Sequence, residues 1–593
     1  MITHKTRLRW RRRLRKSKKQ VIEAGSDTEV RLERYFFRRM TRLINVRRFM
    51  ASWITLILVI MVGLFVQTRQ LIPYYQEVQA TSGGTYREGI LGVFTNANPL
   101  YASGSVDGAV SRLLFSGLFT YDEFNKITGD LAESIDIDET ETIYTVTLRE
   151  GVNWHDGTPF SSADVVFTYQ TIANPDARSP LFSSWKDTKV EAIDERTVRF
   201  TLSNSLTSFT TSLTNGIVPK HILEDVPPSQ LRSSIFNTAR PVGTGPFQWQ
   251  TIEVSSGAVE ERQERIAVTS YAGYHLGQPQ IDSFVIRTYR NEDQMIKDFE
   301  AKDIIGMAGV DTFDTESLIE SEHYAYNIPL TGQVGVFFNT SKDIFSSKQV
   351  RQALVRAVNT TTVLSDFKVP VSPSNSPLLP IHQGYDPELV QLPFDAEKAN
   401  ELLTEAKWVR GEDGIRTKDN EPLEFSLVAL NSANARIAAR SLQEQWHQVG
   451  VRVDVTYQPE DELQASIAQH EYDALLHGIS IGIDPDVFAY WHSSQADVLA
   501  ESRLNLSEYK SSVADDALEA GRTRSNDELR SAKYQPFLEA WRDDAPALML
   551  YQPQFLYITN TQIEGFNPLI MNSGNERMNT VHEWLIRRVR LDK

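Results

Sequence analysis

The chain has 593 residues, a formal net charge of −16, 23% charged residues and no cysteine. A chain of this length exceeds what one hydrophobic core usually organises, so we expect two or more lobes. The lack of cysteine excludes disulfide bonds, thiol chemistry and a lipid attached to an N-terminal cysteine.

The N-terminal segment is strongly basic. Residues 1–48 hold seventeen Lys and Arg against four Asp and Glu, a net charge of +13, whereas the rest carries −29. Such an arm is typical of nucleic-acid binding or of the cytoplasmic flank of a membrane helix. Because an apolar run follows, we favour the flank and expect no nucleic-acid partner. Residues 35–49 mix aromatics with arginines, which suits either an amphipathic helix on anionic lipid or a solvated flank.

The apolar run, Phe49–Val66, contains eighteen residues without a charge, close to the minimum for a helix that spans a bilayer. Trp53 suits the membrane interface, and the arginines before it predict a cytoplasmic N-terminus. The alternative is a cleaved signal peptide, but the nearest small-residue cleavage site, Val78–Ala80, lies far behind the run. We therefore predict a cytoplasmic arm at 1–48, an uncleaved single-pass anchor at 49–66 and a linker at 67–83, with the acidic bulk outside the cell membrane.

The rest of the chain mixes strands and helices, which indicates an α/β fold. Alternating residues predict strands at Gly84–Val93, Thr142–Glu150, Glu195–Leu202, Glu264–Thr269, Ile281–Tyr289, Gly335–Asn339, Leu423–Leu430 and Val451–Gln458. Apolar residues at helical spacing predict helices at Asp107–Phe119, Lys348–Asn359, Ala396–Ala406 and Ala435–Val449.

The stretch Gly151–Thr168, GVNWHDGTPFSSADVVFT, is the most informative part of the sequence. Asp156–Pro159 is a turn by composition, since Gly accepts a positive φ and Pro fixes its own. Ser161 or Ser162 can then cap a helix that has Asp164 in its first turn. The prediction is therefore a strand, a turn and a capped helix.

Several strings of this chain resemble one family in sequence order, the extracellular solute-binding proteins of oligopeptide, dipeptide and nickel ABC importers (family 5). Besides Gly151–Thr168 they are Asn96–Asp122, Asp130–Ser134, Ile217–Leu223, Pro241–Phe247, Val334–Asn359, Asp395–Trp408 and Glu471–Asp486. The resemblance implies a two-lobed periplasmic-binding-protein-like fold of the large peptide-binding subclass, with mixed sheets. It places lobe one at 84–286, lobe two at 287–506 and a return to lobe one at 507–593. The hinge crossings would then lie near residues 287–290 and 505–507. Residues Gly243–Pro246 are expected to keep the fold.

Enzyme motifs are absent from the sequence. It lacks the nucleophile elbow, the zinc-protease helix and the phosphate-binding loop, and its eleven histidines show no metal-ligand spacing. We therefore expect a binding protein with no catalytic residues, no metal site and no cofactor.

A binding cleft needs apolar walls and a few polar groups that stay satisfied when water leaves. The loop after Glu471–Asp486 offers Ile479, Ile481, Asp484 and Asp486. The two carboxylates can meet a ligand cation, or they can cap the short helix that follows. The resemblance places an aspartate that binds the ligand's α-amino group near Ile481. Ile481 is not acidic, so this contact is expected only if Asp484 takes that role. The other candidates for ligand contact are Asn96, Asn98, Phe182, Trp185, Tyr289 and Gln333.

The sequence thus predicts a membrane-anchored, extracytoplasmic solute receptor, monomeric, that delivers a ligand to the permease subunits of an ABC importer. A peptide is the favoured ligand, with another small solute such as a sugar or metal chelate as the alternative. Two other functions stay open: a ligand sensor, and a binder of protein segments that uses the same receptor domain without transport. A hydrolase is disfavoured by the missing motifs.

Overall fold

A computed structural model describes residues 47–255, 262–310, 323–369, 371–500, 503–524 and 526–592. The described chain divides into a small unit, containing residues 47–79 and 588–592, and a large unit of residues 80–587. The basic arm lies outside the described residues, except for its last two positions, and so does nearly all of the proposed amphipathic segment at 35–49.

The small unit contains one long helix, α1, at Arg47–Tyr75. Its segment Phe49–Arg69 is long and apolar enough to cross a membrane, and it is not buried within the protein. By length and composition alone this is weak evidence for a membrane span. The predicted linker at 67–83 is instead helical to Tyr75 and extended from Gln76 to Thr81. The six residues that follow the apolar run, 67–72, contain neither Gly nor Pro, so the helix continues beyond it.

The strands of the described chain, in order, are β1 Gln76–Thr81, β2 Thr85–Leu91, β3 Phe119–Tyr121, β4 Ile127–Gly129, β5 Ala132–Ile137, β6 Ile143–Leu148, β7 Lys189–Ala192, β8 Thr197–Thr201, β9 Phe247–Val254, β10 Glu264–Ser270, β11 Ser283–Tyr289, β12 Gly306–Ala308, β13 Tyr324–Pro329, β14 Gly332–Phe338, β15 Ser372–Pro373, β16 Val409–Arg410, β17 Arg416–Lys418, β18 Glu421–Pro422, β19 Glu424–Leu430, β20 Arg452–Gln458, β21 Ala474–Ser480, β22 Ala547–Gln552, β23 Gln554–Thr559 and β24 Arg587–Asp592.

After α1, the described α-helices are α2 Ser105–Leu114, α3 Ser162–Ile172, α4 Phe182–Trp185, α5 Phe209–Ser212, α6 Lys220–Leu223, α7 Pro228–Leu231, α8 Glu292–Glu300, α9 Asp343–Ser346, α10 Lys348–Arg356, α11 Thr360–Leu364, α12 Ala396–Glu405, α13 Ala433–Gln448, α14 Glu460–Gln469, α15 Phe488–Trp491, α16 Ser512–Arg522 and α17 Asp527–Asp544. Short 3₁₀ helices lie at Pro175–Ala177, Ile235–Asn237, Ser493–Ala496 and Gly574–Glu583.

Two large mixed sheets organise the described part of residues 80–587. The first sheet has seven strands in the order β13-β23-β12-β2-β11-β10-β9, and the second has six in the order β15-β22-β14-β21-β19-β20. A four-stranded antiparallel sheet, β5-β6-β8-β7, shares the hydrophobic core of the first sheet. We call the first sheet with this core the first lobe, and the second sheet with its packed helices the second lobe.

The chain crosses between the lobes along two adjacent strand pairs. β13 runs into β14 through Leu330 and Thr331, and β22 runs into β23 through Pro553. β13 pairs with β23 in the first sheet, and β14 pairs with β22 in the second. At the crossing, Leu330 N donates to Pro553 O at 3.0 Å, and Gln552 Nε2 donates to Leu330 O at 2.8 Å. The crossing strands therefore form one hydrogen-bonded ribbon.

These crossings differ from those predicted near 287–290 and 505–507. After β11, the chain adds β12 beside β2 and β13 beside β23, so the first sheet extends to Pro329. The helices α16 and α17 pack on the second sheet, so the chain rejoins the first sheet only at Gln554. The first difference comes from pairing between distant strands and the second from helices packing on the second sheet, and a local residue pattern shows neither. The predicted limits of 84–286, 287–506 and 507–593 concern lobes that move as rigid bodies. Sheet membership alone does not define such bodies, so these limits stay a prediction.

The second sheet is buried on both faces. Val336 and Phe338 of β14 pack into one hydrophobic cluster, and Phe337 between them packs into another. This is the two-residue periodicity of a strand covered on both sides. The loop that follows β21 is consequently held at the edge of a firmly packed layer.

The stretch Gly151–Thr168 forms the predicted turn and capped helix. Ser161 is the N-cap of α3, in a capping box with Asp164. His155 bonds through its ring to the main chain of Gly243 and Gly245, at 3.2 and 3.0 Å. A Cβ on Gly243 would lie 1.8 Å from the Leu114 carbonyl oxygen, so only glycine allows this segment to approach α2 so closely. This close approach supports the expectation that Gly243–Pro246 keep the fold.

Candidate binding cleft

The loop at residues 481–487, which follows β21, lies where the two lobes meet. Its first two amides, of Ile481 and Gly482, donate to the Thr331 carbonyl oxygen at 2.9 and 3.1 Å. Farther along, Ser208 Oγ of the first lobe lies 3.4 Å from Asp486 Oδ2. Beside it, Thr207 N donates to the Arg522 carbonyl oxygen at 3.2 Å. We call residues 481–487 the cleft loop.

Asp484 of the cleft loop is paired with an arginine of its own lobe. Arg530 on α17 donates to both of its carboxylate oxygens, at 2.8 and 2.5 Å. The Arg530 side chain is only 4% exposed and also donates to the Gly521 carbonyl oxygen at 3.1 Å. Because this bidentate pair is complete within the second lobe, Asp484 is not left available for a ligand ammonium group.

Asp486 is also paired within its lobe. It accepts from Arg522 Nη2 at 3.0 Å, and the Arg522 guanidinium lies 4.1 Å above the Phe488 ring. Asp486 Oδ1 further accepts from Phe488 N at 3.3 Å, at the first residue of α15. These contacts pair both carboxylates with arginines of their own lobe, and Asp486 alone also accepts from an amide of the following helix; the expectation that they meet a ligand cation stays a prediction.

The main chain of the cleft loop is held by two further side chains. His382 Nδ1 accepts from Leu379 N at 3.0 Å, which leaves Nε2 to donate to Gly482 O at 2.8 Å. Burial lowers the pKa of His382 to about 4, so the ring is neutral near pH 7 and this tautomer is favoured. Tyr490 Oη donates to the Ser480 carbonyl oxygen at 2.5 Å. The second-lobe wall is thus fixed before any ligand arrives.

The first lobe contains a cavity of about 350 Å³. It lies between α2, α4, the segment at 211–216 and the 3₁₀ helix at Gly574–Glu583, and Trp185 and Phe115 contribute aromatic surface. Many of the other lining residues carry hydroxyls or amides: Ser111, Ser116, Thr120, Ser184, Thr211, Ser212, Thr214, Asn215, Ser573, Asn575 and Asn579. A wall of this kind offers uncharged hydrogen-bonding groups and ring faces to a small polar ligand.

Arg112, on α2, is the cationic residue of this wall. It donates to Asn579 Oδ1 at 3.1 Å, and its Nη2 lies 4.0 Å from Glu576 Oε1. Glu576 is buried, which raises the pKa of its carboxyl, and it accepts from Asn572 N at 2.7 Å. Asn572 in turn exchanges two side-chain hydrogen bonds with Asn125, at 3.0 and 2.9 Å.

This polar cluster reaches the interface between the lobes. Thr331 Oγ1, at the crossing ribbon, donates to Asn572 Oδ1 at 2.8 Å. Burial and the neighbouring Glu576 carboxylate raise the pKa of Tyr121 to about 12, with a smaller contribution from Asp484 across the cleft. Thr331 therefore links the first-lobe cluster to the cleft loop, since its carbonyl oxygen also accepts from Ile481 N.

Four predicted contact residues of the first lobe have packing roles in the structure. Asn96 and Asn98 are buried and bond to main-chain amides two residues on, at 2.8 and 3.0 Å, and Asn98 also bonds to Asn237. Tyr289 is buried in a separate apolar cluster and donates to Asp298. Trp185 stacks on Tyr169 with ring centroids 3.9 Å apart, yet it also lines the cavity.

The remaining candidates divide between the two lobes. Phe182 is half-buried at the start of α4, one turn from Trp185. Gln333 and Ile479 are directly paired across β14 and β21, next to Ile481 of the cleft loop. Gln333 is fully buried, and neither polar atom of its side chain has a hydrogen-bond partner among the described residues. The structure thus brings Gln333, Ile479, Ile481, Asp484 and Asp486 together, and keeps Asn96, Asn98 and Tyr289 apart from them.

Sequence reasoning missed the polar residues of the first-lobe wall, chiefly Arg112, Asn572, Glu576 and Asn579. The sequence signal for three of them was the run Asn572–Asn579, NSGNERMN, which is rich in asparagine. Arg112 gave none, since an arginine in the last turn of a helix is ordinary. Within the described residues, no group of three or more His, Asp or Glu is arranged to hold a metal ion.

Two lobes joined by a ribbon of crossing strands, with a polar cavity in the first lobe and a fixed loop where the lobes meet, define a two-lobed binding-protein architecture. The chain belongs to the bacterial extracellular solute-binding proteins, family 5, whose model matches residues 126–499. Members of this family are binding proteins, not enzymes, so both the family and the non-catalytic function predicted from the sequence are confirmed.

Individual relatives agree with this assignment. The oligopeptide-binding protein AppA of Bacillus subtilis is 27% identical over 500 residues, which cover 82% of this chain and 89% of that protein. The glutathione-binding protein GsiB of Pectobacterium atrosepticum is 28% identical over 375 residues, 61% of this chain and 67% of that protein.

Solved structures show the same fold. The structure of NikZ from Campylobacter jejuni in complex with Ni(L-His) is 26% identical, with a TM-score of 0.72 over 84% of this chain and 99% of that one. The structure of AppA from Bacillus subtilis with a nonapeptide has a TM-score of 0.71 at 24% identity, over 86% of this chain and all of that one. The predicted two-lobed fold is confirmed.

Proposed function

We propose that this protein is a membrane-anchored, extracytoplasmic receptor that binds a peptide between its lobes and delivers it to an ABC importer. The observation that carries the proposal is a pair of lobes joined by the crossing ribbon, with the cleft loop where they meet and a polar cavity in the first lobe. The relatives named for oligopeptide and glutathione binding support a peptide ligand. NikZ, with its bound nickel–histidine, keeps a metal chelate as the second candidate.

The mechanism is closure around the crossing ribbon. Ligand binding favours the closed arrangement only to the extent that the ligand binds it more tightly than the open one. Among the described residues, the side-chain contact of Ser208 with Asp486 across the cleft is a long one, 3.4 Å, so we expect closure to depend on the ligand to complete the interface. The permease would then recognise the closed arrangement, and α1 as a membrane anchor would raise the receptor's local concentration at the permease.

Ligand identity is tested with the purified full-length protein in detergent. Native mass spectrometry after incubation with a library of tri- to pentapeptides should show retained, chemically intact peptides. Retention of nickel–histidine but of no peptide would instead favour the metal-chelate function. Hydrolysed peptides would contradict a receptor.

The membrane topology is tested by labelling, because the chain has no native cysteine. Glu405, exposed on α12, and Ser26, in the basic arm, are each replaced by cysteine in separate variants. A membrane-impermeant maleimide should label Glu405→Cys on intact cells, and Ser26→Cys only after permeabilisation. A mature protein that has lost the arm would show that the N-terminal helix is cleaved.

A further inference from the structure

The charged side chains that line the first-lobe cavity differ in how much of their hydrogen-bonding capacity is already used. Two charged side chains, Arg112 and Asp130, line it among the described residues. Asp130 is only 9% exposed and is hydrogen-bonded to His275 Nε2 at 2.6 Å. Arg112 is 28% exposed, and its one hydrogen bond among the described residues goes to Asn579. A guanidinium has five N–H donors, so most of those of Arg112 remain for another acceptor.

Glu576 does not complete the Arg112 site. At 4.0 Å, its Oε1 is too far from Arg112 Nη2 for a hydrogen bond. Its oxygens accept instead from Asn572, from the main-chain N at 2.7 Å and from Nδ2 at 3.0 Å. The Glu576 side chain is also only 6% exposed, so a ligand in the cavity meets Arg112 and not the Glu576 carboxylate.

The acidic groups of the facing wall are likewise occupied. Asp484 is bound by Arg530 and Asp486 by Arg522. The position where the resemblance expects an acid for an ammonium group is Ile481. Within the described chain, the first-lobe cavity therefore presents one partly exposed cation with spare donors, Arg112, and both carboxylates of the cleft loop are already paired with arginines.

We propose that Arg112 is a carboxylate-binding subsite, which holds the C-terminal carboxylate of a peptide in the first-lobe cavity while the ligand's ammonium group is not clamped by an acidic side chain. This inference rests on the proposed peptide function. An arginine suits the task because its planar donors match a carboxylate in a bidentate geometry. The neighbouring amides of Asn575 and Asn579 and the hydroxyl of Thr214 line the same space. A cavity of about 350 Å³ is at the small end of ligand pockets, which suits the terminal residues of a short peptide.

The test compares modified ligands on the full-length protein in detergent. A peptide retained from the library is synthesised with a free C-terminus, as the C-terminal amide, and with an acetylated N-terminus, and dissociation constants are measured by calorimetry. Amidation should weaken binding about tenfold or more, since it removes a charge-assisted bidentate contact. Acetylation should change it less than about threefold. Equal affinity for the acid and the amide, or a larger loss on acetylation, would overturn the inference and leave the peptide receptor intact.

Variants provide an independent readout. Arg112→Gln should lower the affinity for the free acid to that for the amide, and Arg112→Lys should keep part of the discrimination. Arg265→Gln is the matched control, because Arg265 pairs with Glu253 on an exposed part of the first sheet and should change neither affinity. An unchanged acid-to-amide ratio in a folded Arg112→Gln protein would also overturn the inference. If the wild-type protein retains no peptide at all, the proposed function fails and this inference falls with it.

Discussion

The two walls of the cleft differ in whether their polar side chains already have hydrogen-bond partners. In the second lobe, the acidic side chains of the cleft loop are paired with arginines of the same lobe, and neutral His382 fixes the loop's main chain. In the first lobe, Arg112 and its neighbouring amides and hydroxyls line a cavity and retain hydrogen-bonding capacity. A wall whose polar groups already have partners provides shape, and a wall with spare donors provides recognition. From this comparison we propose that the first lobe sets ligand specificity.

The largest expected effect is on the stability of the second-lobe wall. Arg530→Met leaves the Asp484 carboxylate without its partner in a mostly buried site, so the free energy of unfolding should fall by about 3 kcal/mol or more. Combining it with Asp484→Leu should restore much of that loss, because the remaining charge is removed too. Denaturant unfolding measures both variants.

Arg440→Ala, which breaks an exposed pair with Glu444, is the matched control for that experiment and should cost under about 0.5 kcal/mol. An Arg530→Met protein as stable as the wild type would show that the Asp484 carboxylate is solvated, and that the second wall is not fixed by this pair.

Acid should weaken the same wall through His382. Burial lowers its pKa to about 4 in the folded protein, below the ordinary value of 6.5, so the unfolded chain binds the proton first as the pH falls. The stability contributed by neutral His382 is complete above pH 6.5 and is lost progressively toward pH 4. Over that range the free energy of unfolding of the wild type should fall by up to about 3 kcal/mol more than that of His382→Gln. The glutamine amide can still accept from Leu379 N and donate to Gly482 O.

This difference is measured by denaturant unfolding at a series of pH values. The matched control is His447→Gln, at an exposed position on α13, which should follow the wild-type pH profile. Parallel profiles for His382→Gln and the wild type would mean that His382 does not hold the cleft loop in the neutral form.

A smaller effect on the first wall should appear in affinity and not in stability. A Cβ on Gly108 of α2 would lie 2.1 Å from Asn575 Nδ2, so Gly108→Ala should push this amide out of the cavity wall. Because alanine favours a helix by about 1 kcal/mol over glycine, the protein should stay folded while peptide affinity falls severalfold. Calorimetry and thermal unfolding separate the two effects.

Gly104→Ala is the control for this helix, because Gly104 precedes it and a Cβ there meets no atom within 4 Å. An unchanged affinity in Gly108→Ala would remove Asn575 from the recognition surface and weaken the contrast between the walls.

The smallest effect is expected where the walls touch directly. Ser208→Ala removes the 3.4 Å contact with Asp486, a long hydrogen bond, so it should raise the dissociation constant less than about threefold. Calorimetry of this variant beside Ser183→Ala, an exposed serine of the same lobe, measures the difference. A tenfold loss would show that direct contact between lobes, and not the ligand, supplies most of the closure energy.

Local patterns predicted much of the secondary structure. The capping box at Ser161 and the helix behind it follow from neighbouring residues, as do the strands β10, β11, β19 and β20, which were placed within about two residues. What the sequence did not show are partners far apart in the chain. Asp484 and Arg530 are 46 positions apart, so the sequence did not show that they pair. The Asp484 carboxylate was therefore predicted to contact a ligand, although Arg530 already binds it.

The same reason explains the other differences. The strand crossings depend on pairing β12 and β13 with β2 and β23, which are distant in sequence. The first-lobe wall combines α2 with the 3₁₀ helix near the C-terminus. Arg112 and Asn579 are therefore neighbours only in the folded protein, and the sequence alone did not mark them as site residues. The placement of the expected acid near Ile481 stays a prediction, while the pairing of Asp484 with Arg530 speaks against Asp484 as its replacement.

The central claim is that a ligand is held between two lobes that move about the crossing ribbon. In the cysteine-free chain, spin labels at Glu139→Cys in the first lobe and Glu405→Cys in the second allow the distance between lobes to be measured by pulsed electron paramagnetic resonance. A saturating peptide should shift and narrow the distance distribution toward the shorter separation. A distribution that stays the same while calorimetry shows the peptide bound would contradict the claim.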